Sequence, residues 1–443
     1  MFTRARVVLI LLTLSLLSAL ITGRDIFFNL TYMWGGLIII SFFWSRMALR
    51  GVEIERIPGT NRAQVGQYFI ERFRLANRSR LPKLWIETRD LSDLLGYRVT
   101  TISVWLGFRG STEVGAHRAV TVTTGLSAHR VREWTIRTLC TQRGRFQLGP
   151  MTMSSSDPFG LFPAQQAIPS QQHIIVLPFI VPIREFPLPS GRLPGGEALR
   201  QRTHQITPNA STVRDYVPGD SLNRIHWKST ARRSRLMVKE FELDPLAEIW
   251  IILDAVRGDG YQRSPEKEEQ VVELGKPFKL PPSTFEYAVA TAASLSMHFL
   301  ERNRSTGLVS YGRTRHVSQP ETGNAQQFRM LESLAVVEAE GEYSLQDVLK
   351  IEGPRIPQGS TVILITSSGD EKMVSSVRQL MHAGRQPILV MIDPSSFGAS
   401  RTISVVAGSA RKMGIPVREI HYGDSLSDAL SDPLRPGRKF RAA

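Results

Sequence analysis

Two uncharged apolar runs near the amino terminus constrain the fold of this chain more than any other feature. Val7–Ile21 and Ile26–Trp44 contain no charged residue, and only four residues separate them. A helix needs about 20 apolar residues to cross the hydrocarbon core of a bilayer, so the second run is long enough and the first is slightly short. The sequence therefore predicts a transmembrane helical hairpin, with helices at about 7–22 and 26–45 in a membrane anchor over residues 1–50.

Arginines flank this pair of runs on both sides. They are Arg4 and Arg6 before the pair, and Arg46, Arg50 and Arg56 after it. The positive-inside rule places both ends in the cytoplasm, so we expect a cell-membrane protein with cytoplasmic soluble domains. The alternative is a cleaved signal peptide covering about the first 22 residues. The arginines after the second run would still hold the remainder inside.

Charge and cysteine content set weaker bounds. The chain has 443 residues, enough for two or three domains, and its 55 Lys plus Arg against 40 Asp plus Glu give a formal net charge of +15. Such a surplus favours acidic partners, including anionic lipid head groups and nucleic acid, without choosing between them. Cys140 is the one cysteine, so no intrachain disulfide forms, and a reducing compartment is favoured.

Short strand-like segments recur from residue 51 to about 180, separated by Gly, Asn and Pro. The predicted strands are Tyr68–Leu75, Lys83–Thr88, Thr100–Phe108, Ala119–Thr123 and Glu133–Leu139. Strands at this spacing are typical of an antiparallel sandwich. The sequence therefore predicts a β-sandwich-like domain over 51–180.

From residue 246 to 443, apolar strands alternate with helical segments. The predicted strands are Ile249–Leu253, Thr306–Tyr311, Thr361–Thr366, Pro387–Ile392 and Ile415–Tyr422, and the first predicted helices are Thr284–Asn303 and Gln326–Glu338. This pattern indicates a mostly parallel, Rossmann-like α/β sheet covered on both faces. The fold class is thus α+β multidomain, with a linker and a charged segment over 181–245.

The charged segment Val213–Arg232 combines a turn signal, aromatic rings and clustered arginines. Pro218 and Gly219 predict a turn, and Asp220 is well placed to cap a helix that begins at Ser221.

If that helix continues to Arg232, then Arg224, Lys228 and Arg232 lie on one face and repel one another, so something acidic must lie opposite. One interpretation is an ion network joining the two soluble domains, with counter-charges and apolar plugs drawn from Asp215, Glu240, Glu242, Ile225 and Trp227. The others are a docking surface for a partner protein and a site for phosphate or nucleic acid, since guanidinium groups suit all three. We adopt the partner surface as the prediction and assign to it Arg214, Asp215, Asp220, Arg224, Trp227, Lys228 and Arg232.

The same segment resembles the signature of the YeaD-like membrane proteins, the family with domain of unknown function 58. Arg143–Pro150, followed by Asp157–Phe162, resembles a second signature of that family, although turns and a core edge explain its glycines and apolar residues equally well. The chain departs from the family at His226, where an acidic residue usually precedes the tryptophan, and at Asp215, where glutamate is frequent.

The α/β region is similar to a von Willebrand factor type A domain, which YeaD-like proteins also carry. Such proteins are companions of MoxR-type AAA+ ATPases in the assembly or maturation of other proteins. The resemblance therefore implies a scaffold or adaptor that holds the ATPase or a client at the membrane, with lipids as its other contact.

The resemblance to type A domains also implies a divalent-cation site, made by an Asp-x-Ser-x-Ser loop, a threonine and a second aspartate. Here Val256 and Gly258 stand in the serine positions after Asp254, and Ser367 follows Thr366 where aspartate is expected. Asp254 and Thr366 are then a degenerate remnant, and we predict neither metal nor cofactor.

Catalytic motifs are also missing from the sequence. It contains no Walker-type loop, no Gly-x-Ser-x-Gly elbow and no zinc-like histidine spacing, so we predict a non-enzymatic protein. The alternatives are an enzyme of unknown type using the α/β domain, or a protein that binds nucleic acid or anionic lipid through its basic surface. Nucleic acid is the less favoured partner.

Overall fold

A computed structural model of the protein describes residues 3–90, 92–94, 96–102, 119–169, 172–188, 210–216, 225–241, 248–258, 261–262 and 278–431. The chain separates into two compact units. The first, called the β unit, comprises residues 1–179, 265–281 and 331–336, and the second, called the α/β unit, comprises 180–264, 282–330 and 337–443. Each unit has its own hydrophobic core.

The chain begins with two helices, α1 (Thr3–Thr22) and α2 (Asp25–Ala48), which match the predicted hairpin. Both are long and apolar enough to cross a membrane, by length and composition. They meet through small residues, since Ser15 and Ala19 are buried and Thr31 Oγ1 donates a hydrogen bond to Ser15 Oγ at 3.1 Å. Small residues allow two apolar helices to approach closely.

The strands of the β unit form three sheets. They are β1 (Val52–Pro58), β2 (Arg62–Gln64), β3 (Tyr68–Asn77), β4 (Lys83–Asp90), β5 (Gly96–Ile102), β6 (Ala119–Leu126), β7 (Val131–Cys140), β8 (Gly144–Leu148), β9 (Met151–Ser156), β10 (Pro163–Ile168) and β11 (Gln172–Leu177). The first sheet has the order β1-β3-β7-β5, the second β10-β9-β4-β6, and the small third β2-β11-β8.

One core lies between the first two sheets. Phe73 and Trp134 enter it from the first sheet, and Ile86 and Met153 from the second. The two sheets therefore face each other across this core, as the predicted sandwich requires. The strand predicted over Thr100–Phe108 is β5 as far as its last residue, and residues 103–108 lie outside the described residues.

A buried ion cluster crosses the sandwich. Arg56 on β1 has no exposed side-chain surface; its Nε lies 3.4 Å from Glu71 Oε1 on β3, and its Nη2 hydrogen-bonds to Asp90 Oδ1 on β4. The guanidinium also lies 5.3 Å from the centre of the Phe73 ring. A buried guanidinium is tolerated only when it is paired, so Arg56 ties the two sheets together rather than acting as a free charge after the hairpin.

The last turn of α2 is bonded to strand β4. Lys83, at the start of β4, is 5% exposed, and its Nζ donates to Met47 O at 2.7 Å and Arg50 O at 3.1 Å. Carbonyls at a helix end lack partners within the helix, and a cation near them is favourable. Burial lowers the pKa of Lys83.

A turn in the second signature also contacts α2. The Asp157 carboxylate accepts from Phe159 N at 3.0 Å and Phe162 N at 2.7 Å, and the Phe162 ring packs edge-on against Phe42 of α2 at 5.9 Å. Leu161 is buried whereas Phe159 is 55% exposed, so the expected core packing holds for only part of this turn.

The elements from residue 210 onward alternate between strands and helices. They are β12 (Ala210–Asp215), α3 (Trp227–Arg233), β13 (Met237–Phe241), β14 (Ile249–Leu253), α4 (Thr284–Glu301), β15 (Thr306–Tyr311), β16 (Arg315–Glu321), α5 (Asn324–Val336), α6 (Leu345–Glu352), β17 (Thr361–Thr366), α7 (Lys372–His382), β18 (Gln386–Ile392), α8 (Ser404–Lys412), β19 (Val417–Ile420) and α9 (Leu426–Ser431).

Six of these strands form one sheet with the order β16-β15-β14-β17-β18-β19. Every neighbouring pair is parallel except β15 with the edge strand β16. Alternate residues, such as Trp250 and Val362, face helices α6, α7 and α8, and α4 contacts the sheet through its buried side. The predicted mostly parallel α/β sheet is confirmed, and β14, β15 and β17 have the predicted bounds.

Residues 180–188 pack on the α/β unit, although the sequence interpretation assigned them to a linker. Val181 N donates to Ser294 Oγ at 2.9 Å, and the Phe186 ring packs edge-on against Phe299 at 5.8 Å. The Arg418 guanidinium covers the same ring at 4.7 Å. This part of the segment is therefore held against α4 and β19.

Candidate functional site

The charged segment is built on a β-hairpin. Strands β12 and β13 pair antiparallel, with Asp215 opposite Met237 and Arg214 opposite Val238. The chain returns at Ile225, which forms a bridge with Val238, and His226 N donates to Met237 O at 2.8 Å. Ile225, Met237 and Val238 are buried. Ile225 and the start of β13 thus supply the apolar base beside helix α3, which lies between β12 and β13 in the chain.

Helix α3 begins later than the sequence predicts. Ile225 is in a strand bridge and His226 is the N-cap, so the predicted continuous helix from Ser221 to Arg232 is wrong, while Asp220 and Ser221 lie outside the described residues. Ser229 N donates to His226 Nδ1 at 3.3 Å, which places the imidazole where an acidic cap would accept the same bond. The capping role explains how His226 replaces the acidic residue that is usual there.

Because α3 begins at Trp227, the three cations predicted on one helix face do not all lie on this helix. Lys228 and Arg232 lie one turn apart on α3, whereas Arg224 precedes the helix. Asp220 and Arg224 lie outside the described residues. Arg214 is placed only by its backbone in β12.

Helix α3 buries none of its residues. Trp227 is 68% exposed, which disagrees with the ion-network interpretation in which it is an apolar plug, whereas Ile225 is buried. Five of the exposed residues of this region, Trp227, Lys228, Arg232, Arg233 and Leu236, are called the basic helix surface.

One ion pair lies beside this surface. Asp215 Oδ2 lies 3.0 Å from Arg235 Nη1, beside the surface. Within the part of the chain that the structure describes, no carboxylate pairs with Lys228 or Arg232. An exposed indole among such cations suits a ligand that is both acidic and apolar. Sequence reasoning missed Arg233, Arg235 and Leu236, although the run Arg-Arg-Ser-Arg-Leu after Ala231 was a visible signal.

Asp254 and Thr366 meet at the carboxyl edge of the six-stranded sheet. Asp254 follows β14 and Thr366 ends β17, and the strand order reverses between these neighbouring strands. Thr366 Oγ1 donates to Asp254 Oδ2 at 2.6 Å, and Val256 N donates to Asp254 Oδ1 at 3.2 Å. Ligands of open α/β sheets bind at such switch points, so this is the second candidate site.

The residues at this edge do not fit a type A cation site. Both carboxylate oxygens of Asp254 already accept hydrogen bonds, and Val256 and Gly258 offer no side-chain oxygen. Asp370 accepts instead from Gln346 Nε2 at 2.8 Å and Lys372 N at 3.0 Å. Among the described residues, no three His, Cys, Asp or Glu side chains come together as metal ligands would. That the protein holds no metal stays a prediction.

A further polar group lies along the same edge and was not predicted. Asp393 follows β18, and its Oδ2 accepts from Ser395 Oγ at 2.6 Å and lies 3.4 Å from His421 Nδ1. The carboxylate thus lies between the serine hydroxyl and the imidazole and holds both at this edge.

A buried carboxylate is bonded to the last residue of β15. Glu352 is 2% exposed and accepts from Tyr311 Oη at 2.5 Å, Arg315 Nη2 at 2.6 Å and Arg355 Nη1 at 3.0 Å. Burial alone raises the pKa of Glu352, but the hydrogen bonds from Tyr311, Arg315 and Arg355 outweigh it and lower that pKa. The carboxylate is thus kept charged by its partners.

Comparison with known proteins identifies the region around α3. Residues 212–278 match the family model described as protein of unknown function DUF58. The uncharacterized protein YeaD of Bacillus subtilis (strain 168) is 26% identical over 160 residues, which cover 35% of this chain and 33% of that protein. The region around α3 is therefore similar to the DUF58 family, and the chain is similar to YeaD over part of its length. The DUF58 match includes most of β12 and all of α3 and β13, and therefore the whole basic helix surface.

The alignment spans about a third of the length of this curated relative. Among solved structures, the ASH/PapD-like domain of human CEP192 is 12% identical with a TM-score of 0.16, covering 29% of this chain and 85% of that domain. The GH20 exo-β-N-acetylglucosaminidase of Vibrio harveyi is 9% identical with a TM-score of 0.20, covering 84% and 82%. Similarities this weak carry no argument about fold or function.

Proposed function

We propose that this protein is a membrane-anchored, cytoplasm-facing scaffold without enzymatic activity, which binds a partner protein through the basic helix surface. The observation that carries the proposal is the position of Trp227, 68% exposed at the start of a helix that buries nothing. Tryptophan and arginine are the residues that most often dominate binding energy at protein interfaces.

The charges around Trp227 support the same conclusion. Lys228 and Arg232 are one turn apart, and like charges at this spacing destabilise a helix. A partner carboxylate placed between them would remove the repulsion, and its apolar neighbours would cover the indole. The expected partner surface is therefore acidic with an apolar pocket.

The anchor in this proposal consists of α1 and α2. Arg4 and Arg6 lie at the start of the pair, and Arg46 and Arg50 at its end, all exposed. Positive residues at both ends favour a cytoplasmic location for those ends, and hence for both units.

The proposed partner is a MoxR-type AAA+ ATPase, and the proposed process is assembly or maturation of other proteins. Two features support a type A-like α/β domain in this role. The sheet has one antiparallel edge strand, and its strand order reverses between β14 and β17, beside Asp254 and Thr366. The ATPase would supply the energy, and this chain would hold it or its client at the bilayer.

Co-purification tests the surface. The full chain in detergent is expected to retain the ATPase, and both Trp227→Ala and the double variant Lys228→Glu with Arg232→Glu should lose it. Arg378→Glu is the matched control, because Arg378 is an exposed helical cation of the same unit. Equal retention by the wild type and the double variant would remove the basic helix surface from the proposal.

The basic surface would also suit a nucleic acid. In that case binding should fall steeply with salt, and Trp227→Ala should matter less than the charge reversals. Steep salt dependence of DNA binding, with no ATPase retained, would favour this alternative.

An enzyme is the second candidate, and the Asp254–Thr366 pair at the switch point is the observation that favours it. It requires nucleotide binding or turnover by the purified chain that Asp254→Ala abolishes and Arg378→Glu leaves intact.

A further inference from the structure

The end of α2 is bonded to the segment that leads from β3 into β4. Lys83 Nζ bonds the carbonyls of Met47 and Arg50, and Arg78 N donates to Gly51 O at 2.7 Å. Gly51 has a φ of 73° and approaches Ser79 so closely that a Cβ there would lie 3.2 Å from the Ser79 Cβ. Residues 79–84 therefore lie beside the last turn of α2, where a membrane helix leaves the hydrocarbon.

This edge exposes large apolar side chains. Leu81 is 46% exposed, Leu84 is 45% exposed, and Phe159 is 55% exposed on the turn whose Phe162 packs on α2. We call Leu81, Leu84 and Phe159, together with Arg50 and Arg80, the collar. Apolar side chains beside basic ones are the composition of surfaces that rest in the head-group layer of a membrane.

An apolar groove of about 300 Å³ runs between α2 and the collar. Ile40, Phe43, Trp44 and Met47 line it from α2, and Leu81 and Leu84 from the β unit. Ile40 and Phe43 are also exposed on the outer side of the helix. The groove is therefore continuous with the surface that would face lipid tails.

The charge of the collar indicates which class of lipid the groove would bind. Arg50 and Arg80 flank the contact between Gly51 and Ser79, and both are exposed. Among the described residues, no carboxylate pairs with either guanidinium, whereas the neighbouring Arg78 is paired with Glu53 at 3.1 Å. Guanidinium groups bind phosphate through paired hydrogen bonds, and basic residues beside a membrane helix attract anionic lipids.

We propose that the collar is a binding site for an anionic phospholipid of the bilayer. One acyl chain occupies the groove, and the phosphate lies between Arg50 and Arg80. The proposal rests on the membrane anchoring proposed above, and it assigns the β unit a direct lipid contact.

Site-directed fluorescence in nanodiscs tests the depth of the collar. The full chain carries one native cysteine, Cys140, and burial raises its pKa to about 12, so it reacts slowly with thiol probes. Single cysteines replace Leu84 or Phe159 in the collar, Leu14 in the middle of α1, and Tyr68 at the opposite end of β3 as the exposed control. The unsubstituted chain measures background labelling.

The discs contain equimolar phosphatidylcholine and phosphatidylglycerol with a trace of nitroxide-labelled lipid. Probes at residues 84, 159 and 14 should lose fluorescence to the nitroxide, and the probe at 68 should not. Loss at 14 without loss at 84 and 159 would overturn the collar while the anchor stands. No loss at 14 would overturn the anchor and the collar together.

Retained lipid tests the choice of head group. Phosphatidylglycerol should be enriched over phosphatidylcholine in the purified wild-type chain, and Arg50→Gln with Arg80→Gln should abolish the enrichment. Arg72→Gln with Arg137→Gln is the control, because these exposed arginines of β3 and β7 remove the same charge elsewhere on the unit. Unchanged enrichment in the Arg50 and Arg80 variant would overturn the phosphate site.

Discussion

The α/β unit contains two groups of charged residues that differ in their hydrogen bonding, one around the six-stranded sheet and the other in the basic helix surface. Asp254, Asp393 and Glu352 each accept hydrogen bonds from neighbours in the same fold. Lys228 and Arg232 have no such acceptor among the described carboxylates. The three carboxylates therefore contribute to the stability of the fold, whereas the role proposed for Lys228 and Arg232 is to bind another molecule. The comparison predicts that substitutions will separate stability from binding.

The largest effect is expected for Glu352→Ala. It leaves the buried Tyr311 hydroxyl without its acceptor and separates two guanidinium groups from their carboxylate, so the free energy of unfolding should fall by about 3 kcal/mol. Hydrogen exchange of the β14 amides measures it, because they open with the whole unit. Glu340→Ala, which breaks only an exposed pair with Arg313, should have little effect. Equal losses in both variants would contradict the comparison.

Acid should remove part of the same stabilisation. The pKa of Glu352 is lowered in the folded protein, so the unfolded state binds this proton more readily. The stabilisation is therefore complete above the ordinary glutamate pKa of about 4.3 and is lost as the pH falls through the lower folded value. The wild type should lose stability in this range more steeply than Glu352→Gln. Parallel pH profiles of the two proteins would count against the ion cluster.

Asp254→Ala should cost about 2 kcal/mol, because the Thr366 hydroxyl and the Val256 amide lose their acceptor. The same exchange measurement reports it, with Asp370→Ala as the exposed control. An increase in the stability of Asp254→Ala would argue against a purely structural role for Asp254. Catalytic groups are often held at the expense of stability, so that result would favour the enzyme alternative.

The helix cap should have a smaller effect. His226→Ala removes the acceptor for Ser229 N and should weaken α3 by about 1 kcal/mol, whereas His226→Asp should preserve it. Faster exchange of the α3 amides in the alanine variant alone is the expected result. Similar exchange in both variants would show that the imidazole does not cap the helix.

The smallest effect on stability is expected where binding should change most. Lys228→Ala with Arg232→Ala should alter the free energy of unfolding by less than about 0.5 kcal/mol, because neither side chain is buried and their mutual repulsion is removed. Retention of the partner should nevertheless fall. A large loss of stability would show that Lys228 and Arg232 belong to a structural ion network. The difference between them and the carboxylates around the sheet would then not hold.

The sequence predicts best where burial is continuous. Strands β14, β15 and β17 are buried along their whole length, so their apolar runs mark their ends to the residue. The edge strand β16 reads Arg-His-Val-Ser-Gln-Pro-Glu and pairs on one side only, so hydrophobicity does not reveal it. Its pairing depends on β15, which a local pattern cannot show.

The candidate site was predictable in composition but not in geometry. Its tryptophan and basic residues are visible in the sequence, but the local capping signal at Asp220 favoured an early helix. The bridge between Ile225 and Val238 interrupts any helix that would continue to Arg232, and this pairing depends on β13, which a local pattern does not show. The exposure of Trp227 likewise follows from tertiary packing, since a tryptophan in sequence is more often an apolar plug.

The two hydrogen bonds from the Lys83 ammonium to the end of α2 have a mechanical consequence. They hold the last turn of α2 against the start of β4. In the proposed anchor, a change in bilayer thickness that tilts α2 would therefore also turn the strands to which it is bonded.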